Sequence, residues 1–218
     1  MNNIKKSVLL IVVVVVSGFK GASAQEFKDK FFFSNGFSIY TDLVFGLEPV
    51  EGSGAGGISI FTYTPNFRYN LTEFDDNSSL SLNVPIGIGL MTSEFGFGSI
   101  NVPLYIAYNS GNISTYSADK NKGFTIGIGI EYYNMAVFLD DKYDSGDAIS
   151  DAASWIGPCA NIGYRYWNKK NIAREFNLKV GFGPSTTYEY TDFNGANREY
   201  EIGSATSVKF TWFRYLNY

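Results

Sequence analysis

The sequence lacks histidine entirely and has a single cysteine, Cys159, among its 218 residues. Without histidine, the Ser/His and Cys/His arrangements of nucleophilic catalysis cannot be built, nor can an imidazole-ligated zinc site. A single cysteine cannot form an intramolecular disulfide, and no neighbour in the sequence would activate its thiol. We therefore predict a protein that is not an enzyme, and we assign no catalytic, metal-binding or cofactor-binding residue.

Charged residues are also scarce, at 17% of the chain against the roughly 25% that is usual for soluble domains. The chain has 21 acidic and 17 basic residues, for a formal net charge of −4. Proteins that bind nucleic acid need basic faces. The acidic balance therefore excludes nucleic acid as the expected partner.

Long apolar runs are limited to the start of the chain. Lys5 and Lys6 precede an unbroken apolar stretch at residues 8–16, and small residues follow at 22–24. This order predicts a secretory signal peptide over residues 1–24, cleaved before Gln25, and one domain over residues 25–218. A spanning helix needs roughly 20 apolar residues, and no later segment provides them. Any membrane crossing must therefore be made by strands.

The sequence is instead rich in alternating apolar and small polar residues, most clearly at residues 79–90. Strict alternation is typical of a strand with one apolar and one polar face. The polar face here carries small, uncharged residues, which suits the interior of a transmembrane barrel whose apolar face meets lipid. The apolar positions are Leu80, Leu82, Val84, Ile86, Ile88 and Leu90.

Eight segments share this alternation, and together they predict an all-β fold, an eight-stranded antiparallel up-and-down transmembrane β-barrel. The connector at residues 110–122 is long although it falls on the side where short turns are expected. The true number of strands could therefore differ from eight. The segments lie at about residues 37–47, 58–71, 79–90, 100–108, 124–132, 156–166, 176–182 and 208–218.

The predicted lumen receives charges of both signs and many glycines. Because buried charges persist when they are paired, we expect acids and bases to connect across the interior and larger side chains to fill the space beside the glycines. A barrel of eight strands is about wide enough for side chains to fill, so a plugged lumen is the expected state. Arg214 breaks the pattern, since it points outward and could reach the lipid headgroups. The predicted lumen charge network is Asp42, Arg68, Glu131, Arg165, Lys179 and Lys209.

The last strand ends on an aromatic residue, and in this it resembles bacterial outer-membrane β-barrels. The resemblance implies that Trp212, Leu216 and Tyr218 form the C-terminal signal read by the barrel-assembly machinery. The overall pattern looks like the small barrels of the OmpA-transmembrane and OmpX type. The Asn-Val-Pro sequences at residues 83–85 and 101–103 look like barrels of the Bacteroidota. The resemblance implies the outer membrane of a Gram-negative bacterium as location and its lipid as a partner.

Four functions remain open at this stage. The first is a non-enzymatic integral outer-membrane barrel with a structural or interaction role, acting through external loops or docked to another envelope protein. The second is a porin-like barrel that binds or transports a small molecule or lipid, for which the glycine-rich wall is the best support. The third is a soluble secreted barrel or sandwich, and an enzyme is the fourth. We favour the first.

Overall fold

The computed structural model describes residues 28–45, 54–93, 96–134, 137–139, 154–184, 186–191, 197–202 and 204–218. For residues 42–45, 54–60, 91–93, 96, 139, 186–191, 197–202 and 204–205 it describes only the backbone. The predicted signal peptide at residues 1–24 lies outside the described residues, and so do residues 140–153 between the fifth and sixth predicted segments. Among the described residues, no helix has the length and apolarity needed to cross a membrane.

Alternating segments fold into strands throughout the described chain. One two-residue strand is a short addition to the wall, and two others form a separate hairpin. The strands are β1 (Phe31–Phe45), β2 (Gly54–Asp75), β3 (Ser78–Pro85), β4 (Gly87–Ser93), β5 (Gly96–Gly111), β6 (Lys122–Asn134), β7 (Phe138–Leu139), β8 (Ser154–Trp167), β9 (Ala173–Gly183), β10 (Thr186–Thr191), β11 (Asn197–Ile202) and β12 (Ser204–Tyr215).

The wall closes because β1 pairs with strands on both of its edges, antiparallel to β12 on one side and to β2 on the other. From β2 the ring continues through β3 and β4 to β5, and then through β6, β8 and β9 to β12. Both β3 and β4 pair with β2 on one side and with β5 on the other, so together they form one interrupted strand of the wall. Counted in this way, the ring has eight strands. The prediction of an eight-stranded antiparallel up-and-down barrel is confirmed.

Inward and outward faces differ as the alternation predicts. In β6 and β8 buried and exposed residues alternate almost without interruption. The exposed members are large and apolar: Ile128 is 71% exposed and Phe37 is 65% exposed. The buried members are mostly polar, so the usual arrangement of a soluble protein is inverted. The core of this protein is therefore its lumen.

The structure departs from the sequence prediction at three places. The strand predicted at residues 79–90 is interrupted at Ile86, after Pro85, which has no N–H to donate; the Ile86 amide still donates to the Pro65 carbonyl at 2.8 Å, so the wall stays joined. The first strand begins at Phe31, six residues before the predicted segment. Between the predicted segments at residues 176–182 and 208–218, the chain forms the additional β10–β11 hairpin.

The two ends of the barrel differ in their connectors. At the end where β1 begins and β12 ends, here the proximal end, the connectors are residues 76–77, 112–121 and 168–172. The β10–β11 hairpin follows β9 at the opposite, distal end. The connector at 112–121 is long, although short turns were expected at this end of the barrel. The strand count was correct, so this length has another cause.

Candidate functional site: the plugged lumen

Residues 112–121, here the plug, cross the proximal mouth of the barrel, with residues 112–115 buried in it and most of residues 116–121 exposed. The side chain of Ile113 is fully buried, and its backbone adopts a left-handed conformation with φ of 58°. A β-branched residue in this region is strained and persists only where surrounding contacts enforce it. Those contacts come from the barrel wall.

Two buried arginines hold the carbonyl oxygen of Ile113, and together with the plug they form the proximal layer of the lumen. Arg165 donates from Nη1 to this oxygen at 2.8 Å, and Arg68 donates to it from Nη2. Arg165 also donates to the carbonyl of Phe124 at 2.6 Å. Hydrogen bonds from charged donors are roughly twice as strong as neutral ones. A single peptide carbonyl therefore joins the plug to two strands of the wall, β2 and β8.

Further hydrogen bonds fix the next residues of the plug. The carbonyl of Ser114 accepts from Asn70 Nδ2 at 2.8 Å and from Ser79 Oγ at 2.6 Å. The hydroxyl of Thr115 donates to the carbonyl of Asp76 in the β2–β3 turn. Polar backbone groups buried in the mouth are thus satisfied by wall side chains, as burial of a loop requires.

An apolar cluster seals the mouth beside these hydrogen bonds. Ile113 packs with Phe32, Ala173 and Tyr215. The guanidinium of Arg68 lies 4.0 Å from the centre of the Phe32 ring and 5.5 Å from that of Tyr215. Cation–π contact stabilises a cation that has left water. The aromatic rings therefore take over part of the role that a carboxylate would have.

The next layer of the lumen, here the central layer, is built around a buried ion pair. The carboxylate of Glu131 on β6 pairs with Lys179 on β9, and both side chains are almost fully buried. Ser207 donates to Glu131 Oε1 at 2.8 Å, and Asn101 donates to Oε2 at 2.7 Å. Lys179 in turn donates to Ser207 Oγ at 2.7 Å. This network joins four strands through one carboxylate.

Glycines in the wall make room for these side chains. A Cβ added at Gly181 would overlap the carboxylate of Glu131, and one at Gly87 would overlap Nζ of Lys209. Both glycines face the lumen, where a larger residue would displace a charged group from its partners. At these two positions the space beside the glycine is therefore filled by a side chain from another strand rather than left open.

A small polar cavity lies between the two layers, with a volume of about 20 Å³. That is room for about one or two water molecules, far below the roughly 300–1,000 Å³ of a pocket for a drug-sized ligand. The asparagine amides that dominate its lining suit water. They are Asn66, Asn83, Asn109, Asn161 and Asn177.

The structure places the predicted lumen charges in different surroundings. Glu131 and Lys179 form an ion pair, whereas Arg68 and Arg165 bind a backbone carbonyl that the sequence analysis did not consider. Lys209 is buried and lies 3.4 Å from Asn101 Oδ1. The backbone of Asp42 lies opposite Ser207, but its side chain is outside the described ones.

The three residues of the predicted assembly signal also have different surroundings. Trp212 faces outward, with the guanidinium of Arg174 4.3 Å from its ring. The amide of Leu216 donates to the carbonyl of Phe33 at 3.0 Å. Tyr218 packs on the plug, where its hydroxyl donates to the carbonyl of Ala118 at 3.0 Å. Partial burial raises the pKa of the Tyr218 phenol, which keeps this donor protonated. Their part in assembly stays a prediction.

Sequence reasoning missed two residues that complete the proximal layer. Glu175 accepts from the Tyr215 hydroxyl at 2.6 Å, but the predicted strand began one residue later. Ile113 carried one usable signal, since it is the sole large aliphatic residue in an otherwise polar connector. Within the described ranges, no three His, Cys, Asp or Glu side chains come together in a way that could hold a metal ion.

No family model matches this chain, and no curated protein does either. Among solved structures the chain is similar to the outer membrane protein OprG from Pseudomonas aeruginosa, with 10% sequence identity and a TM-score of 0.45. The match covers 88% of this chain and 99% of OprG. A likeness at this level indicates nothing about ligand or activity.

Proposed function

We propose that this protein is an integral outer-membrane barrel with a closed lumen and a structural or interaction role rather than a transport role. The observation that carries the proposal is the plug: Arg68 and Arg165 from opposite parts of the wall hold the carbonyl of Ile113 inside the mouth. A closed mouth above a lumen filled by charged side chains leaves a permeating solute no continuous path.

Membrane placement is supported by the outward face. Large apolar side chains are exposed on each of the eight strands of the wall, among the residues whose side chains are described. Soluble monomers rarely expose contiguous apolar patches above a few hundred Å², whereas a transmembrane barrel needs such a band all round. The proximal end, where β1 begins and β12 ends, would then face the periplasm, and the distal end would face outward.

Conductance across a planar lipid bilayer tests the closed lumen. The purified barrel should insert and migrate in heat-modifiable form on gels, yet give no stable current steps. The R68Q/R165Q variant should give steps or a noisy current, because it releases the carbonyl that holds the plug. Stable, selective conductance by the wild-type protein would overturn the proposal and favour the porin-like alternative.

Membrane insertion is tested separately by flotation with liposomes. A barrel that stays soluble without detergent and does not float with lipid would contradict outer-membrane placement. The smaller similarities to OmpA-type, OmpX-type and Bacteroidota barrels belong to the same proposal, since they rest on the pattern of the last strand and the Asn-Val-Pro sequences.

A further inference from the structure

Two arginines face each other on the outside of the barrel. Arg174 on β9 lies directly opposite Arg214 on β12 in the antiparallel register. Directly opposed residues of an antiparallel pair have Cβ atoms about 4.5–5.5 Å apart, and like charges at this distance destabilise a sheet. Within the described residues, neither guanidinium has an acidic partner or a hydrogen-bond acceptor. Within the part of the chain that the structure describes, no carboxylate forms an ion pair with either arginine to offset this repulsion.

The surroundings fix where this pair lies. One step further along the same face are Phe176 and Trp212, which belong to the exposed apolar band. Arg174 and Arg214 each lie one residue from the proximal end of their strands. In a membrane, the first polar residues below an apolar band face the phosphates of the headgroups.

Arg174 is also held in one orientation. Its guanidinium lies 4.3 Å from the Trp212 ring centre, and its Nε is buried without a hydrogen-bond partner. An arginine stacked on an aromatic ring keeps its terminal nitrogens free and in a fixed plane, which suits the paired acceptors of a phosphate.

A third basic residue lies in the same row of the wall. Lys122 lies in the same cross-strand row, next to Tyr166, which neighbours Arg174. At about 4.8 Å per strand it is roughly 10 Å from Arg174, within reach of a headgroup. Of the acids described at the proximal end, Asp75 and Asp76 lie where β2 meets its turn to β3, on another part of the rim, Asp119 lies in the plug, and Asp29 precedes β1.

We propose that Arg174 and Arg214, with Lys122 at the edge, bind the phosphate of an anionic phospholipid headgroup at the proximal rim. The proposal rests on the membrane placement proposed above. A phosphate between the two guanidinium groups would accept charge-assisted hydrogen bonds from both and convert their repulsion into attraction. An acidic protein partner is the alternative occupant, and the test below treats it as an outcome.

The test compares lipids on the purified barrel in zwitterionic detergent. Wild-type protein, R174Q/R214Q and K169Q/K170Q are titrated with short-chain phosphatidylglycerol, phosphatidylcholine or inorganic phosphate. Binding is followed by native mass spectrometry and by the fluorescence of Trp212, corrected with a W212F variant. The lysine variant removes the same charge from the exposed turn at the same end without touching the arginine pair.

Wild-type protein should bind phosphatidylglycerol at least about tenfold more tightly than phosphatidylcholine. R174Q/R214Q should lose most of this preference, and K169Q/K170Q should keep it. Equal loss in both variants would show general charge attraction only, and equal binding of inorganic phosphate would show that a lipid is not the specific ligand. Either result overturns the proposal, as does an acidic protein that co-purifies through these arginines in place of lipid.

Failure here is distinguishable from failure of the proposed function. A barrel that floats with liposomes but shows no lipid preference contradicts this site alone, whereas a barrel that does not float contradicts both. Since both arginines point outward, the double variant should still fold, and its heat-modifiable migration checks this. If it does not fold, R214Q alone should give a partial loss of the preference.

Discussion

The central and proximal layers of the lumen both bury cations, but they neutralise them differently. In the central layer, Lys179 pairs with the carboxylate of Glu131. In the proximal layer, Arg68 and Arg165 share a backbone carbonyl, and Arg68 lies over the Phe32 ring. The first arrangement joins wall strands to one another, and the second joins the wall to a loop.

The difference follows from the two side chains. A lysine ammonium is compact and strongly hydrated, so burial of Lys179 is stabilised most by the full counter-charge of Glu131. A guanidinium is weakly hydrated, spreads its charge over a plane, and binds carbonyls and aromatic faces. We therefore expect damage in the central layer to affect the whole barrel, and damage in the proximal layer to affect mainly the plug.

The largest effect is expected from E131Q. The change leaves Lys179 buried without its counter-charge, which should lower the free energy of unfolding by about 3–5 kcal/mol. Urea unfolding in detergent, followed by tryptophan fluorescence, measures this. The double variant E131Q/K179M should recover much of the loss, because it removes the unpaired charge as well. An E131Q barrel as stable as the wild type would show that the pair does not brace the wall.

A smaller and more local effect is expected from R165Q. Loss of its charged hydrogen bonds to Ile113 and Phe124 should cost about 1.5–3 kcal/mol. Hydrogen exchange should speed up at the amides of Asn112 and Ser114, which bond to Lys122 and Gly111 in the closed plug. Amides of β6 opposite β8 should keep their protection. Faster exchange throughout the barrel would contradict the separation of the two layers.

G181A should destabilise the central layer by about 1–3 kcal/mol through overpacking. Its new methyl group would overlap the Glu131 carboxylate, so the cost should shrink in an E131A background, which a double-mutant cycle measures. G36A is the matched control, because its Cβ would meet Phe213 and Thr211 instead. If E131A changes the cost of both substitutions equally, the Gly181–Glu131 contact is not the cause.

The smallest effect is expected from Y218F. It removes one hydrogen bond to the Ala118 carbonyl and should cost about 0.5–1.5 kcal/mol, again confined to the plug. Because the aromatic ring stays, Y218F should assemble normally in cells, whereas Y218A should reduce the amount of folded barrel in the membrane fraction. Normal assembly of Y218A would remove Tyr218 from the predicted assembly signal.

Wall strands were predictable because the signal that encodes them is local. The alternation of residues 124–132 identifies a strand and also states which side chains face inward, so the inward position of Glu131 follows from its neighbours alone. Strand ends were harder to predict. Phe32 was missed because the phenylalanines at 31–33 do not alternate with polar residues, and Glu175 was missed because a one-residue extension carries little pattern of its own. The break after Pro85 depends on proline chemistry, and the alternation passes through it unchanged.

The plug was not predictable, although its unusual length was visible. Arg68 and Ile113 are 45 residues apart in the chain, and Arg165 and Ile113 are 52 apart. Nothing in the polar stretch at residues 112–121 states whether it turns into the lumen or away from it. The opposed Arg174 and Arg214 likewise meet only through the register of β9 with β12.

By itself, the sequence determined a barrel wall with an apolar outside and a polar, crowded inside, because period-two alternation fixes both the strand and the direction of each side chain. Only the tertiary structure decided how the inside charges are satisfied and that the proximal mouth is closed. Closure of the ring brings distant strands within hydrogen-bond distance. Which donor then meets which acceptor depends on register and stagger around the ring, and no local pattern records these.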